Sequence, residues 1–184
     1  MTSHPLLEAL LAHAGERPRQ PALISTSGVV TYGELADAVA RCRHSFAGVL
    51  AEPKCLVGIS ISDEVQHLIA SLGLVTAGIS QITLATHETS SARAELVKRA
   101  EATHVLSDEP RFKVPGVEFL EWSEAGRLPR ASPDSSMSRT RASQFRCNTS
   151  GTSGGVNLVA FTEQQIARQS CQYAEYADEV RLLL

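Results

Sequence analysis

Seven residues in a row, Thr149-Ser150-Gly151-Thr152-Ser153-Gly154-Gly155, combine hydroxyl side chains with glycine in a way that suits anion binding. A polyphosphate needs several donors converging on its oxygens. Glycines let backbone N–H groups approach closely, and Ser and Thr hydroxyls add further donors. The loop matches neither G-x-x-x-x-G-K-[ST] nor G-x-G-x-x-G, so the Walker loop and the dinucleotide fingerprint are the wrong templates. By composition alone, a flexible Ser/Gly linker accounts for the same residues.

The flanks argue for a held loop. Before it, Gln144-Phe145-Arg146-Cys147-Asn148 reads as a strand; after it, Val156 to Phe161 is a second apolar run. Thr162 with Gln165 then forms a capping box that opens a helix with Ile166, Ser170, Tyr173, Ala174, Ala177 and Val180 on one face. Other chemistry-bearing residues have simpler readings. His67 stands alone on a predicted helix, as a surface or hydrogen-bonded histidine does. Cys147 has no identifiable His or Asp partner and reads as a small apolar strand residue. Tyr173 and Tyr176 fit helix packing.

Upstream, the pattern predicts alternating helices and strands. Leu6, Leu7, Leu10, Leu11 and Ala14 recur at helical spacing, with Ser3 as N-cap and Gly15 and Pro18 closing the pattern. Ala22 to Ser25 reads as a strand turning at Ser27-Gly28. Thr31 with Glu34 forms a capping box ahead of a helix carrying Leu35, Val39, Cys42, Phe46 and Val49. Cys55 to Ile61 is a buried strand, Asp63 to Ala77 a helix stopped at Gly78, and Gln81 to Leu84 a strand. A helix from Ser91 to Ala102 and a strand from His104 to Ser107 follow. Strands separated by such helices imply parallel crossover units. Gly126 to Ser143, rich in Ser, Arg and Pro, reads as an exposed connection.

Composition narrows the class. With 184 residues, 43% of them hydrophobic, the chain has material for a sizeable core. Its net charge of -3, without a Lys/Arg run, lacks the footprint of a nucleic-acid binder. Cys42, Cys55, Cys147 and Cys171 are scattered singly, away from zinc spacing, so neither a disulfide framework nor a metal site is expected. No apolar stretch approaches the ~18 residues of a membrane span. The expectation is a soluble protein of a reducing cytoplasm.

Thr149-Ser150-Gly151-Thr152-Ser153-Gly154 resembles the phosphate-loop signature of the adenylate-forming superfamily, which comprises acyl- and aryl-CoA synthetases, luciferases and the adenylation domains of peptide synthetases. Thr31-Tyr32-Gly33-Glu34-Leu35 is similar to that family's early helix signature. Val57-Gly58-Ile59, with Ala70 and Ala77-Gly78 in the next helix, is similar to its following sheet unit. The resemblance implies an AMP-dependent ligase in which the loop closes over the β- and γ-phosphates of MgATP while a substrate carboxylate attacks the α-phosphorus. An acyl-adenylate and pyrophosphate result, and the thiol of CoA or of a carrier protein's phosphopantetheine arm then takes the acyl group. Carried across by motif position, Thr149, Ser150, Thr152 and Ser153 are hydroxyl donors, and Gly151, Gly154 and Gly155 free the backbone.

Two positions depart from the pattern. Val156 and Asn157 stand where the family usually has Pro-Lys, and Thr162-Glu163 stands where Thr-His is common. Asn donates a hydrogen bond without neutralising an anion, so weaker or rearranged ATP binding is expected. The expected fold is α/β and doubly wound: a mainly parallel sheet with flanking helices, the incomplete N-terminal domain of such an enzyme. Its parts are an N-terminal sheet unit over residues 1–125, a connection over 126–143 and a phosphate-loop block over 144–184.

The adenine contacts, acidic Mg²⁺ ligand, acyl pocket and catalytic lysine of the family follow this region, so the chain alone is expected to be inactive. It then needs the C-terminal region or a complementing subunit, and its apolar cut surface favours self-association. Two readings compete. One is a non-catalytic binding or interaction module derived from the same fold; the other is an unrelated doubly wound nucleotide-binding domain that does not use the loop.

Overall fold

The computed structural model describes residues 4–50, 55–123, 143–150 and 156–172. Helix α1 (Pro5–Glu16) leads to a two-stranded antiparallel hairpin, β1 (Pro21–Ser25) and β2 (Gly28–Thr31). The long helix α2 (Tyr32–Val49) follows. Then come β3 (Leu56–Ser60), α3 (Glu64–Thr76), β4 (Ser80–Thr83), α4 (Ser90–Arg99), β5 (His104–Ser107) and β6 (Glu118–Glu121). Strands β7 (Gln144–Ser150) and β8 (Val156–Thr162) and helix α5 (Glu163–Gln172) complete the described elements. Six strands form one sheet in the order β6-β5-β3-β4-β7-β8, parallel throughout except for β8, which runs antiparallel to β7. The mainly parallel, doubly wound sheet expected from the sequence is therefore present.

The alternation of side chains along β3 explains the two-sided packing. Val57 and Ile59 point to one face, where they meet Val65, Ile69 and Leu74 of α3 and Val39, Cys42 and Phe46 of α2. Leu56 points to the other, with Ile82, Leu84, Val105 and Val97 of α4. Helix α3 carries the chain from β3 to β4 on one side, and α4 returns it past β3 to β5 on the other. A fixed crossover hand puts helices that step in opposite directions on opposite faces. Close approach is built in at two glycines. A Cβ on Gly73 would lie 2.5 Å from Cys42 Cβ and 3.1 Å from the Phe46 ring, so α2 and α3 touch where α3 has no side chain. A Cβ on Gly58 would meet Leu84 Cδ1 at 2.9 Å.

Helix ends separate what was legible from what was not. The Thr31/Glu34 and Thr162/Gln165 capping boxes both form, and Asp63 caps α3 through Gln66 N at 2.8 Å. Helix α3 ends in a Schellman turn with Gly78 at φ 75°, donating Gly78 N to Val75 O and Ile79 N to Leu74 O. Helix α4 ends in the same turn, three residues before the expected Ala102, but with Glu101 in the left-handed position at φ 56°. Its bonds run from Glu101 N to Lys98 O and from Ala102 N to Val97 O. Without glycine at that position, no local stop signal marks the end of α4.

Several expectations need correction. Strands β2 and β6 add to the expected elements: β2 is half exposed and β6 is a charged edge strand, Glu118-Phe119-Leu120-Glu121, so neither shows the apolar run of a buried strand. The composition of residues 126–143 puts Ser143 in an exposed connection. It is instead buried, donating its hydroxyl to Val75 O at 3.2 Å. Residue Ser3 and the rest of that connection lie outside the described residues; the residue preceding α1, His4, makes no side-chain cap of its own helix. Cys147 is in a strand as expected, but exposed.

Candidate functional site

Strand β7 pairs with β4 only through Gln81–Phe145 and Ile82–Arg146, and then continues four residues further. At about 3.3 Å per residue, Ser150 stands roughly 10 Å beyond the level of Thr83 at the end of β4. Strand β8 returns beside it with Thr149 opposite Asn157 and Ser150 opposite Val156. Thr149 and Ser150 are therefore backbone members of a hairpin strand rather than loop residues. Gly151, Thr152, Ser153, Gly154 and Gly155, which connect the two strands, lie outside the described residues. The hairpin projects from the carboxyl ends of the parallel strands, the edge at which open α/β sheets bind ligands.

That edge carries a connected polar rim. Arg93, on the first turn of α4, is buried and donates to Ser60 Oγ at 2.6 Å and to Ser90 Oγ at 3.2 Å. It pairs with Glu109 at 2.8 Å, and its guanidinium lies 4.2 Å from the centre of the Phe112 ring. This ties the ends of β3 and β5 to α4. Asp108 accepts from Ser62 N at 2.8 Å, fastening the turn after β3 to the end of β5. His67 points at the end of β4, with Nε2 at 3.4 Å from Thr83 Oγ1. Burial lowers the His67 pKa, while the hydrogen bond its ring donates to the Ile61 carbonyl works in the opposite direction. The isolated helical histidine is thus hydrogen-bonded, as its sequence context suggested.

Beside the hairpin a cleft of about 250 Å³ is walled by Ala85 and Glu88 after β4, by Arg93, Leu96 and Arg99 of α4, and by Asn148 of β7. Arg146 reaches from β7 to the Ala100 carbonyl at 3.3 Å, which sets the spacing between hairpin and helix. Behind the hairpin, Glu163 is buried, accepting from Leu6 N and His4 Nδ1, both at 3.0 Å. The position that departs from Thr-His in sequence is therefore the one that fastens α5 to the start of α1.

Sequence reasoning missed Arg93. Its signal was a charged residue in register with Leu96, Val97 and Ala100 on the apolar stripe of α4, where only a paired charge survives burial. It also missed the meeting of Cys55 with His104 and Glu118, because 49 residues separate Cys55 from His104 and no short spacing marks them. Among the described residues, no group of three or more His, Cys, Asp or Glu could hold a metal ion, and no helix is long and apolar enough to cross a membrane.

No protein-family model matches the chain. Among curated proteins, the nonribosomal peptide synthetase ungA' of Aspergillus campestris is 29% identical over 77 residues, which is 42% of this chain and 1% of that protein. Solved structures align over most of the chain. The nonribosomal peptide synthetase FmoA3 with AMPPNP bound has a TM-score of 0.72 at 20% identity, covering 92% of this chain and 18% of its own. The N-terminal subdomain of Klebsiella oxytoca NpsA scores 0.74 at 20% identity, covering 89% and 43%. The o-succinylbenzoate CoA synthetase MenE of Bacillus subtilis scores 0.73 at 18% identity, covering 94% and 36%. The chain thus spans less than half the length of each of these proteins.

Proposed function

On the premise of that fold, which is the N-terminal fold of adenylate-forming enzymes, we propose that this chain supplies the first sheet and the phosphate loop of an AMP-forming ligase. The ligase activates a small carboxylic acid with ATP and passes the acyl group to a thiol, of CoA or of a carrier protein. The observation that carries the proposal is the β7–β8 hairpin, whose paired ends Ser150 and Val156 stand beyond the carboxyl edge of a parallel sheet. Ligands bound by the structural relatives support it: NpsA is seen with 3-hydroxyanthranilyl-AMSN and MenE with the product analogue OSB-NCoA.

In this reading the loop's N–H groups and the hydroxyls of Thr149, Ser150, Thr152 and Ser153 meet the phosphate oxygens. The carboxylate attacks the α-phosphorus, one oxygen–phosphorus bond forms as another breaks, and pyrophosphate leaves. The attacking oxygen is already anionic, so the protein's work is alignment and charge stabilisation rather than proton transfer. The backbone N–H and hydroxyl donors of the loop fit an anion, and in this reading Mg²⁺ enters with the nucleotide. Arg93, Ser60 and Glu109 set the floor beneath the hairpin by fixing α4 against the strand ends.

Calorimetric titration with MgATP tests the proposal, comparing the chain with a Gly151→Val, Ser153→Ala double variant. Saturable binding that the variant loses is the expected result. Binding that the variant retains would place the nucleotide elsewhere and overturn the role of the loop. Asn157 favours a second reading, a non-catalytic module of the same fold, because it removes the cation that the family sets beside the phosphates. The two readings part on Asn157→Lys: an enzyme-derived phosphate site gains affinity, whereas a module that has abandoned the nucleotide stays silent.

A further inference from the structure

At the opposite, amino-terminal edge of the sheet, Cys55 just before β3 meets His104 at the start of β5, and His104 meets Glu118 at the start of β6. Cys55 Sγ lies 3.4 Å from His104 Nδ1, and His104 Nε2 lies 3.3 Å from Glu118 Oε2. The parallel register brings the three together, since Val57 is level with His104 and His104 with Glu118. A carboxylate only accepts hydrogen bonds, so Nε2 carries the ring proton and the Nδ1 lone pair is shared between the Cys55 thiol and the Thr103 hydroxyl.

Thr103 completes the group. Its Oγ1 lies 2.8 Å from Nδ1, 3.3 Å from the Leu56 carbonyl and 3.8 Å from Cys55 Sγ, while it accepts from Leu56 N at 3.2 Å. When the thiol loses its proton to Nδ1, the Thr103 hydroxyl is placed to donate to the sulfur anion. Cys55 and His104 are both 6% exposed, while the Glu118 side chain is 64% exposed. The ion pair that forms is thus sheltered on the sulfur side and anchored to a solvated carboxylate on the other.

We propose that Cys55, activated by His104 and Glu118, is a thiol-modification site for small disulfides of the glutathione type. The Cys55 proton passes to His104 Nδ1, and the thiolate attacks one sulfur of the disulfide. A new S–S bond forms as the old one breaks, and the departing thiolate takes the proton from His104. The exchange is redox-neutral within the pair of reactants and needs nothing further. Cys55 is only 6% exposed, so its reactant is a small molecule rather than a folded protein partner. A bulky adduct at Cys55 also sits against the core formed by Val57, Ile59 and Leu106, so modification loosens the fold.

Cys42 is the internal reference, a buried thiol in the same core whose pKa burial pushes up to about 11. The full chain is incubated with oxidised glutathione at pH 7 and each cysteine is followed by peptide mass mapping. Cys55 is expected to be modified at least about tenfold faster than Cys42, and to slow by about tenfold in His104→Gln and by a smaller factor in Glu118→Gln. Glu118 is exposed and at a sheet edge, so its variant decides the matter if His104→Gln does not fold, with circular dichroism reporting folding of each. Equal rates in wild type and Glu118→Gln, or Cys55 modified only in step with Cys42, would overturn the proposal.

Discussion

Helices α1 and α2 start in opposite ways. At α2, Thr31 and Glu34 close a box within four residues: Glu34 N donates to Thr31 Oγ1 at 3.3 Å, and Thr31 N donates to Glu34 Oε2 at 2.9 Å. At α1, Pro5 occupies the first turn, His4 provides no side-chain cap, and Leu6 N finds its acceptor on Glu163, 157 residues away. The start of α2 is a local property, encoded within four residues. The start of α1 gains its acceptor only once β7, β8 and α5 are in place, so it reports on the whole fold.

The largest effect expected from this contrast is at Glu163. Glu163→Ala removes a buried, charge-assisted acceptor from both Leu6 N and His4, and should lower unfolding stability by about 2–3 kcal/mol in urea denaturation. Glu163→Gln keeps one acceptor oxygen and should recover part of the loss. A cost no greater than that of the local cap would break the comparison, by showing that α1 starts without help from α5.

Thr31→Ala comes next, with an expected loss of about 1 kcal/mol in the same assay. The pair also has a pH signature. Hydrogen bonds from the Thr31 backbone and then its side chain hold Glu34 below the ordinary carboxylate range. Its contribution is fully present above the unfolded-state pKa of Glu and disappears as pH falls through the lower folded-state value. Wild type should therefore lose slightly more stability than Thr31→Ala on acidification through that window; parallel curves would show that the box does not hold the charge.

The smallest effect expected is a gain at the other end of a helix. Glu101 occupies the left-handed position that Gly78 occupies in the matching turn of α3. Glu101→Gly should relieve that strain and raise stability by about 0.5 kcal/mol, after the entropy that glycine adds to the unfolded chain. A loss on thermal melting would mean that the Glu101 side chain contributes more than its backbone strain removes.

The candidate site divides along the same line between local and distant. The strand–loop–strand–helix setting of Thr149–Gly155 was readable because alternation and a capping box are encoded in consecutive residues. Its position at the carboxyl edge was not, since that follows from β7 pairing with β4 across more than sixty residues, as Phe145 opposite Gln81 shows. Arg93 looked like one more charge on a polar helix until Ser60, Glu109 and Phe112 closed around it. Cys55 looked like one of four scattered cysteines for the same reason.

What the sequence determined by itself is the set of elements whose signals lie within a turn or a strand: the capped starts of α2 and α5, the glycine stop of α3, the apolar runs of β3 and β5, and the hydroxyl-glycine composition of the loop. Tertiary structure alone decided the rest. It made strands of the short segments β2 and β6, buried Ser143 and Arg93, and turned Glu163 from a departure in a motif into the cap of α1. Those outcomes depend on which groups lose water together, and burial is a property of pairs of distant segments that no single segment encodes.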